Sequence, residues 1–247
     1  MTKTELNKHK VVSQNDWIEA RRRLLTQEKE FTRLRDQLSR QRRELPWVKV
    51  EKDYVFDGPA GKMSLAELFE GRSQLLVYHF MFAPDWEEGC PSCSFWADNF
   101  NPIGIHLNHR DVTMIAVSRA PSERLEAFKR RMGWNFNWVS SANNDFNYDY
   151  HVSFTPEELK GEVEYNYAKH VQNYWTGSDT GSPDLPGVSV FYKGEDGSIY
   201  HTYSTYTRGI DTLNTAYNYL DLVPKGRDEA ELDWPMAWLH YHDRYED

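Results

Sequence analysis

Residues 75–96 read LLVYHFMFAPDWEEGCPSCSFW and hold both cysteines of the 247-residue chain. The first eight residues are apolar, β-branched or aromatic, which predicts a buried strand. The residues after Cys93 predict a helix. The cysteines stand at a C-x-x-C spacing that about one random placement in a hundred would give, so we interpret them as a redox pair.

Helix geometry predicts different roles for the two thiols. Cys90 precedes the predicted helix and Pro91 takes its first position, where a missing N–H costs nothing. Free amides and the helix dipole stabilise a thiolate at Cys90. Such thiols have pKa values of roughly 3.5–7.5, against about 8.5 for a free cysteine. Cys90 is therefore predicted to attack, and Cys93, one turn later, to resolve the mixed disulfide.

Two other interpretations of the pair are a structural zinc site and inert buried thiols. A zinc site needs about four ligands, and the chain has no second cysteine pair. Gly89 and Pro91 indicate a surface turn, which disfavours inert thiols.

The rest of the composition bears on location and partners. The chain has no apolar run of membrane-spanning length and no apolar signal core at its start. We therefore expect a cytoplasmic protein without membrane contact, where a C-x-x-C pair is more often catalytic than structural. The net charge is −9. An acidic protein body repels phosphate, so we expect no nucleic-acid partner.

Residues 1–45 predict a helical arm. They carry twelve basic and seven acidic residues, and Ser13 is a helix-capping residue. A narrow apolar stripe recurs every seven residues at Trp17, Leu24, Phe31, Leu38 and Leu45. Such a stripe suits either docking on the chain's own domain or pairing with a second copy in a homodimer. The sequence leaves both interpretations open.

Residues 46–223 predict an α/β domain. Apolar or alternating runs predict strands, and amphipathic runs predict helices between them. The predicted strands are residues 47–56, 75–82, 112–118, 188–192 and 198–204. A short helix is predicted at residues 64–69, and longer ones follow the second and third strands. Strands that alternate with helices form parallel pairs, and ligand sites lie at the carboxyl ends of such strands, where Cys90 falls.

Two segments stand outside this pattern. Residues 134–185 form an aromatic-rich insertion, which we predict to be a lid or a segment with local structure. A non-catalytic protein that holds a ligand or partner in this insertion is a further interpretation. Residues 224–247 are an acidic tail that we expect to pack on the domain.

The element order, with Cys-Pro-Ser-Cys at the head of a helix and residues 185–191 opening a hairpin, resembles the thioredoxin fold. In that superfamily a cis proline lies against the cysteines, and the backbone of the residue before it pairs with the substrate. The resemblance therefore implies a cis Pro186 and substrate-binding roles for Leu185 and Pro186. We also assign Trp86, beside the motif, to substrate binding.

Five segments resemble a bacterial family of unassigned function whose members are described as predicted dithiol-disulfide oxidoreductases. These segments are SLAELF (64–69), YHFMF (78–82), GCPSCS (89–94), STYTRG (204–209) and LDLVPKGRDE (220–229). The resemblance spans roughly residues 17–245. It implies thiol–disulfide exchange with a protein or small-molecule disulfide and no cofactor.

A hairpin before the predicted strand at residues 75–82, together with residues 116–118 followed by a helix, also resembles the peroxiredoxin branch of the fold. Peroxiredoxins place Thr or Ser three residues before the attacking cysteine, where this chain has Glu87. A carboxylate is a poor substitute for that hydroxyl beside a thiolate, so a peroxidase is the second interpretation.

Histidines supply the remaining candidates. His79 lies in the strand before the motif and is a candidate base for the resolving thiol. His240, His242 and Asp243 lie close in sequence and are weak candidates for a copper or zinc site, although we expect no metal.

Overall fold

The structure, a computed structural model, describes residues 9–171 and 184–246. Ten strands are found within them, and eight belong to one sheet. The strands are β1 (Val48–Lys49), β2 (Val55–Gly58), β3 (Gly61–Ser64), β4 (Gln74–His79), β5 (Val112–Ser118), β6 (Asn137–Ser140), β7 (Glu162–Tyr165), β8 (Ala168–Val171), β9 (Gly187–Lys193) and β10 (Ile199–Tyr206).

Six α-helices and several 3-10 turns accompany the described strands. The helices are α1 (Gln14–Arg43), α2 (Pro91–Phe100), α3 (Gly104–Asn108), α4 (Ser122–Arg131), α5 (Phe146–Asp149) and α6 (Thr215–Leu220). The 3-10 turns are Glu67–Phe69, Asn101–Ile103, Glu158–Lys160 and Thr207–Leu213. Asn214 separates the last 3-10 turn from α6 and caps α6 by accepting a hydrogen bond from the Tyr217 N–H.

The eight-stranded sheet has the order β1-β10-β9-β4-β5-β6-β2-β3. Strands β4, β5 and β6 run parallel, whereas β9 and β10 form an antiparallel hairpin beside β4. The crossover from β4 to β5 contains α2, so the cysteine loop lies at the carboxyl end of β4. This mixed sheet flanked by helices is the predicted thioredoxin-like, peroxiredoxin-type α/β fold, which is thereby confirmed.

The apolar composition of β4 is explained by burial on both faces of the sheet. Tyr78 packs in the core cluster that contains both cysteines, whereas Leu75 and Val77 pack in a second cluster on the other face. Alternate residues of a strand point to opposite faces, so Tyr78 and His79 necessarily diverge.

Two local predictions need correction. Residues 47–56 form two separate strands at distant positions in the sheet, because Trp47 packs on the hairpin residue Tyr192 while Phe56 packs on Phe146. Residues 64–69 form the end of β3 and a 3-10 turn instead of an α-helix. The reciprocal Ser64 and Glu67 hydrogen bonds of a capping box are nevertheless present.

The segment predicted as an aromatic-rich insertion contains β6, α5 and the separate β7–β8 hairpin. Its Val163 and Tyr165 pack with Val152, Phe154 and Tyr206 in a third core cluster. The part of this prediction that concerns residues 172–183 lies outside the described residues.

The arm forms one thirty-residue helix, α1, and none of its residues is buried. Ser13 caps it by accepting a hydrogen bond from the Asp16 N–H. The apolar stripe therefore does not dock on the described part of the chain's own domain. None of the helices within residues 9–171 and 184–246 combines the length and the hydropathy of a membrane span.

Candidate functional site

The cysteine loop is held at the start of α2 by backbone hydrogen bonds. Cys90 is the N-cap residue, with Pro91 at the first helical position, as predicted. The Cys90 N–H donates to the Met81 carbonyl at 3.0 Å, and the N–H and hydroxyl of Ser94 both donate to the Cys90 carbonyl at 2.9 Å. These bonds hold Cys90 against the end of β4.

Position 89 is a glycine because the structure leaves no room there for a side chain. A Cβ there would lie 2.7 Å from Cε1 of Phe80 and 3.0 Å from Cε1 of Phe128. The backbone of the cysteine loop thus rests directly on two core rings.

The two cysteines approach each other to 3.9 Å and carry free thiols. Cys90 is 8% exposed and Cys93 is 1% exposed. The Met81 N–H donates to the Cys93 sulfur at 3.4 Å. Cys90 is thus the outer thiol of the pair and Cys93 the inner one.

The environment separates the pKa values of the two thiols. A hydrogen bond from the Cys93 thiol lowers the pKa of Cys90 against the opposing effect of burial, and the N–H groups of Cys93 and Ser92 lower it further. Burial, followed by the hydrogen bond and charge of Cys90, raises the pKa of Cys93 well above its ordinary value. Cys90 is therefore the thiol that ionises first.

Tyr78 is the titratable side chain of β4 that faces the cysteines. It is 1% exposed, and its hydroxyl has no hydrogen-bond partner among the described residues. Burial raises the pKa of Tyr78, and the neighbouring Cys93 raises it further. The Tyr78 hydroxyl, in turn, offsets part of the rise in the pKa of Cys93.

His79 faces the other side of the sheet, so its predicted role as a base for the thiols is at odds with the structure. Its Nε2 lies 2.8 Å from Oγ of Ser189, and its ring stacks on Phe146 and Tyr150. Burial lowers the pKa of His79 to about 3, so the ring is neutral at physiological pH.

A shallow surface depression of about 530 Å³ gives access to Cys90. Its lining comprises Trp86, Glu87, Glu88, Gly89, Cys90, Pro91 and Tyr241. Arg124 of α4 holds one wall by donating to the carbonyls of Pro84 and Trp86 at 2.8 and 2.5 Å. A larger depression of about 760 Å³ lies between Pro59 and Pro121, and no cysteine lines it.

The C-terminal tail packs on the cysteine loop. The Tyr241 hydroxyl donates to the Gly89 carbonyl at 2.7 Å. Arg131 and Arg244 lie 5.0 and 5.1 Å from the Tyr241 ring centroid, and both bind the carboxylate of Glu88. Burial opposes ionisation of Glu88, but the two guanidinium groups outweigh it and lower the pKa of Glu88. The negative charge of Glu88, close to Cys90, is thereby neutralised.

The weak metal candidates make separate interactions. His242 Nδ1 lies 2.8 Å from Asp98, Asp243 forms ion pairs with Arg131, and the His240 ring packs on Tyr245. Within the described part of the chain, no three His, Cys, Asp or Glu side chains come together to hold a metal. Proximity in sequence therefore does not produce a ligand set here.

Leu185 and Pro186 lie outside the lining of the depression. The Leu185–Pro186 peptide bond is trans, so the expectation of a cis proline is wrong. The Leu185 N–H donates to the Val152 carbonyl at 2.8 Å, and the Pro186 carbonyl accepts from the Tyr165 hydroxyl at 2.6 Å. Both groups have intramolecular partners, and a role in substrate binding stays a prediction.

The sequence reasoning missed four residues around the pair: Tyr78, Arg124, Arg131 and Tyr241. Strand alternation contained the signal for Tyr78, because it and His79 point to opposite faces. No local pattern signals the other three, which reach the cysteine loop from α4 and from the tail.

Comparisons with solved structures find peroxiredoxin folds at low similarity. Peroxidoxin BcpB from Mycobacterium tuberculosis is 11% identical, with a TM-score of 0.45 over 69% of this chain and 94% of that chain. A peroxiredoxin Q variant from Xanthomonas campestris is 12% identical, with a TM-score of 0.41 over 67% and 90%. The mitochondrial 2-Cys peroxiredoxin from Plasmodium falciparum is 14% identical, with a TM-score of 0.39 over 71% and 92%. Similarity at this level does not assign chemistry.

No functionally curated protein matches the chain. A family model described as "bacterial protein of unknown function (DUF899)" matches residues 6–245, almost the whole sequence. The chain therefore belongs to the bacterial DUF899 family.

Proposed function

We propose that the protein is a thiol–disulfide oxidoreductase in which Cys90 attacks and Cys93 resolves. The observation that carries this proposal is the asymmetry of the pair. Two free thiols approach to 3.9 Å at a helix start, and the outer one borders a surface depression while its pKa is lowered. Thiol–disulfide exchange needs an accessible thiolate next to a second thiol.

The proposed reaction has two exchange steps. The Cys90 thiolate attacks one sulfur of the substrate disulfide, whose S–S bond breaks, and one substrate thiolate leaves and takes up a proton. Cys93 then loses its proton and attacks the Cys90 sulfur, which breaks the mixed disulfide and releases the second substrate thiol. The protein gives up two electrons and keeps a Cys90–Cys93 disulfide. A dithiol or glutathione-type thiol must return the pair to the reduced state.

Tyr78 supports the second step in this proposal. The pKa of Cys93 is well above its ordinary value, so its thiolate is costly to form. The buried Tyr78 hydroxyl, which has no hydrogen-bond partner among the described residues, is free to donate to that sulfur as negative charge develops. Charge-assisted hydrogen bonds of this kind are about twice as strong as neutral ones.

The depression suggests how a substrate reaches Cys90. Trp86 offers an apolar wall beside the sulfur, and the arginines that pair with Glu88 remove one negative charge from its rim. A disulfide in an extended peptide or in a small molecule fits such a shallow surface. We propose a cytoplasmic setting, because C-x-x-C pairs there are kept reduced between turnovers.

The test uses reduced protein and an aromatic disulfide such as dithiobis(nitrobenzoate), with release of the coloured thiol as the readout. Wild type is expected to release two thiols per protein and to end as an intramolecular disulfide. Cys90→Ser is expected to release none within the same time. Cys93→Ser is expected to release one and to remain as a mixed disulfide, detectable by mass spectrometry. If Cys90→Ser reacts as fast as wild type, the assignment of the nucleophile fails.

A second arm separates this proposal from the peroxidase and scaffold interpretations. Hydrogen peroxide replaces the disulfide, and a sulfenic acid probe reports on Cys90. Reaction with peroxide at least as fast as with disulfide would favour a peroxidase. Failure with both oxidants would favour a non-catalytic binding protein.

A further inference from the structure

Helix α1 presents an apolar stripe that the described part of its own domain leaves largely exposed. Its thirty residues span about 45 Å at 1.5 Å per residue, and none is buried. The stripe residues have large exposed fractions: Trp17 53%, Leu24 50%, Phe31 66%, Leu38 43% and Leu45 44%. Contact with the body is made near the helix end, where the Arg42 guanidinium lies 5.6 Å from the Tyr203 ring centroid. A helix in a protein gains most of its stability by packing such an apolar face against another surface.

The stripe is symmetric along the helix. Phe31 lies at its centre, Leu24 and Leu38 lie seven residues to either side, and Trp17 and Leu45 lie fourteen residues away. A two-fold axis at Phe31 therefore brings Leu24 of one helix to the level of Leu38 of a second copy. The same surface serves on both chains, which is the requirement of an isologous dimer interface.

Charge sets the direction of the pairing. Residues 14–28 carry three acidic and three basic side chains, whereas residues 29–43 carry two acidic and six basic ones. In a parallel pair the two basic halves would lie side by side and repel each other. An antiparallel pair aligns each basic half with a balanced one, and it brings Glu19 to the level of Arg43.

We propose that the protein is a homodimer whose interface is an antiparallel pairing of the two α1 helices through this stripe, with the two-fold axis near Phe31. The partner is a second copy of this chain. The interface is separate from the cysteine site, and its test does not depend on the reactivity of Cys90 or Cys93.

The first experiment measures the mass of the full-length protein by sedimentation velocity and light scattering across micromolar concentrations. Wild type is expected to be a dimer. Phe31→Glu places a charge at the centre of the stripe on both copies and is expected to weaken association at least about a hundredfold. Thr26→Glu, on the opposite helix face, is the matched control and is expected to stay dimeric. A monomeric wild type, or a Phe31→Glu protein that dimerises like wild type, overturns the proposal.

The second experiment tests the direction by oxidative cross-linking in a Cys90→Ser/Cys93→Ser background. Phe31→Cys is expected to cross-link to itself. Leu24→Cys and Leu38→Cys are expected to cross-link when mixed and not when alone. Self-cross-linking of Leu24→Cys as efficient as that of Phe31→Cys contradicts the antiparallel pairing. Since no α1 residue is buried, an unchanged thermal unfolding midpoint of the body verifies that each variant folds.

Discussion

The Tyr241 hydroxyl donates a 2.7 Å hydrogen bond to the carbonyl of Gly89, although the two residues are 152 positions apart. The C-terminal tail thereby contacts the residue immediately before Cys90. The Tyr241 ring, flanked by Arg131 and Arg244, also forms part of the wall of the depression. The tail is thus positioned to limit access to Cys90, which is only 8% exposed.

Tyr241→Phe is expected to increase the rate of Cys90 alkylation, because it keeps the ring and removes the hydrogen bond that holds the tail. A hydrogen bond contributes about 1 kcal/mol, so the rate should rise roughly fivefold. Iodoacetamide labelling followed by peptide mass spectrometry measures this rate. Tyr219→Phe removes the hydroxyl of an exposed tyrosine of α6 and should leave the rate unchanged. Equal rates for all three proteins would show that the tail does not control access.

Replacement of Cys93 is expected to alter the pH dependence of Cys90. The Cys93 thiol is the largest cause of the lowered pKa of Cys90, so the thiolate of wild type persists below the ordinary thiol pKa. The alkylation rate should therefore fall only as the pH drops through this lowered pKa. In Cys93→Ala the midpoint should move up towards about 8.5. Coincident midpoints in the two proteins would contradict the assigned cause.

Tyr78→Phe is expected to slow the resolving step and to spare the first attack. The hydroxyl has no hydrogen-bond partner among the described residues, so its loss should not impair folding. Loss of a hydrogen bond to a developing charge costs about 1.5–3 kcal/mol, or roughly 10- to 150-fold in rate. Single-turnover release of thiol from an aromatic disulfide resolves the two phases. A variant that slows both phases equally, or neither, argues against this role.

The lowered pKa of His79 predicts how the free energy of unfolding depends on pH. Its pKa is about 3 in the folded protein, mainly because of burial, and near 6.5 in the unfolded chain. Between these values the unfolded chain binds the extra proton, so the free energy of unfolding falls as the pH is lowered from 6.5 towards 3. The contribution is up to about 1.4 kcal/mol per pH unit.

His79→Gln keeps a hydrogen-bonding group near Ser189 and removes this titration. Urea unfolding at pH 6.5, 5.5 and 4.5 should show a shallower slope for His79→Gln than for wild type. His106→Gln, a change at an exposed histidine, should retain the wild-type slope. If His79→Gln has the wild-type slope as well, His79 is not the group responsible.

The sequence by itself determined the features that depend on neighbouring residues. The apolar run at residues 75–82 specifies the buried strand β4, and Pro91 at the first helical position specifies where α2 starts. The C-x-x-C spacing puts both thiols at that helix start. Ser13 and the seven-residue apolar repeat likewise specify α1. These are effects of strand and helix periodicity and of capping, which act over a few residues.

Only the tertiary structure decided which side chains surround the thiols. Tyr78 reaches the cysteines and His79 does not, because α2 covers one face of the sheet while Phe146 and Tyr150 cover the other. Tyr241 and Arg131 reach the cysteine loop because the tail and α4 pack beside it. Contacts of this kind depend on packing between distant segments, for which local sequence patterns carry no information.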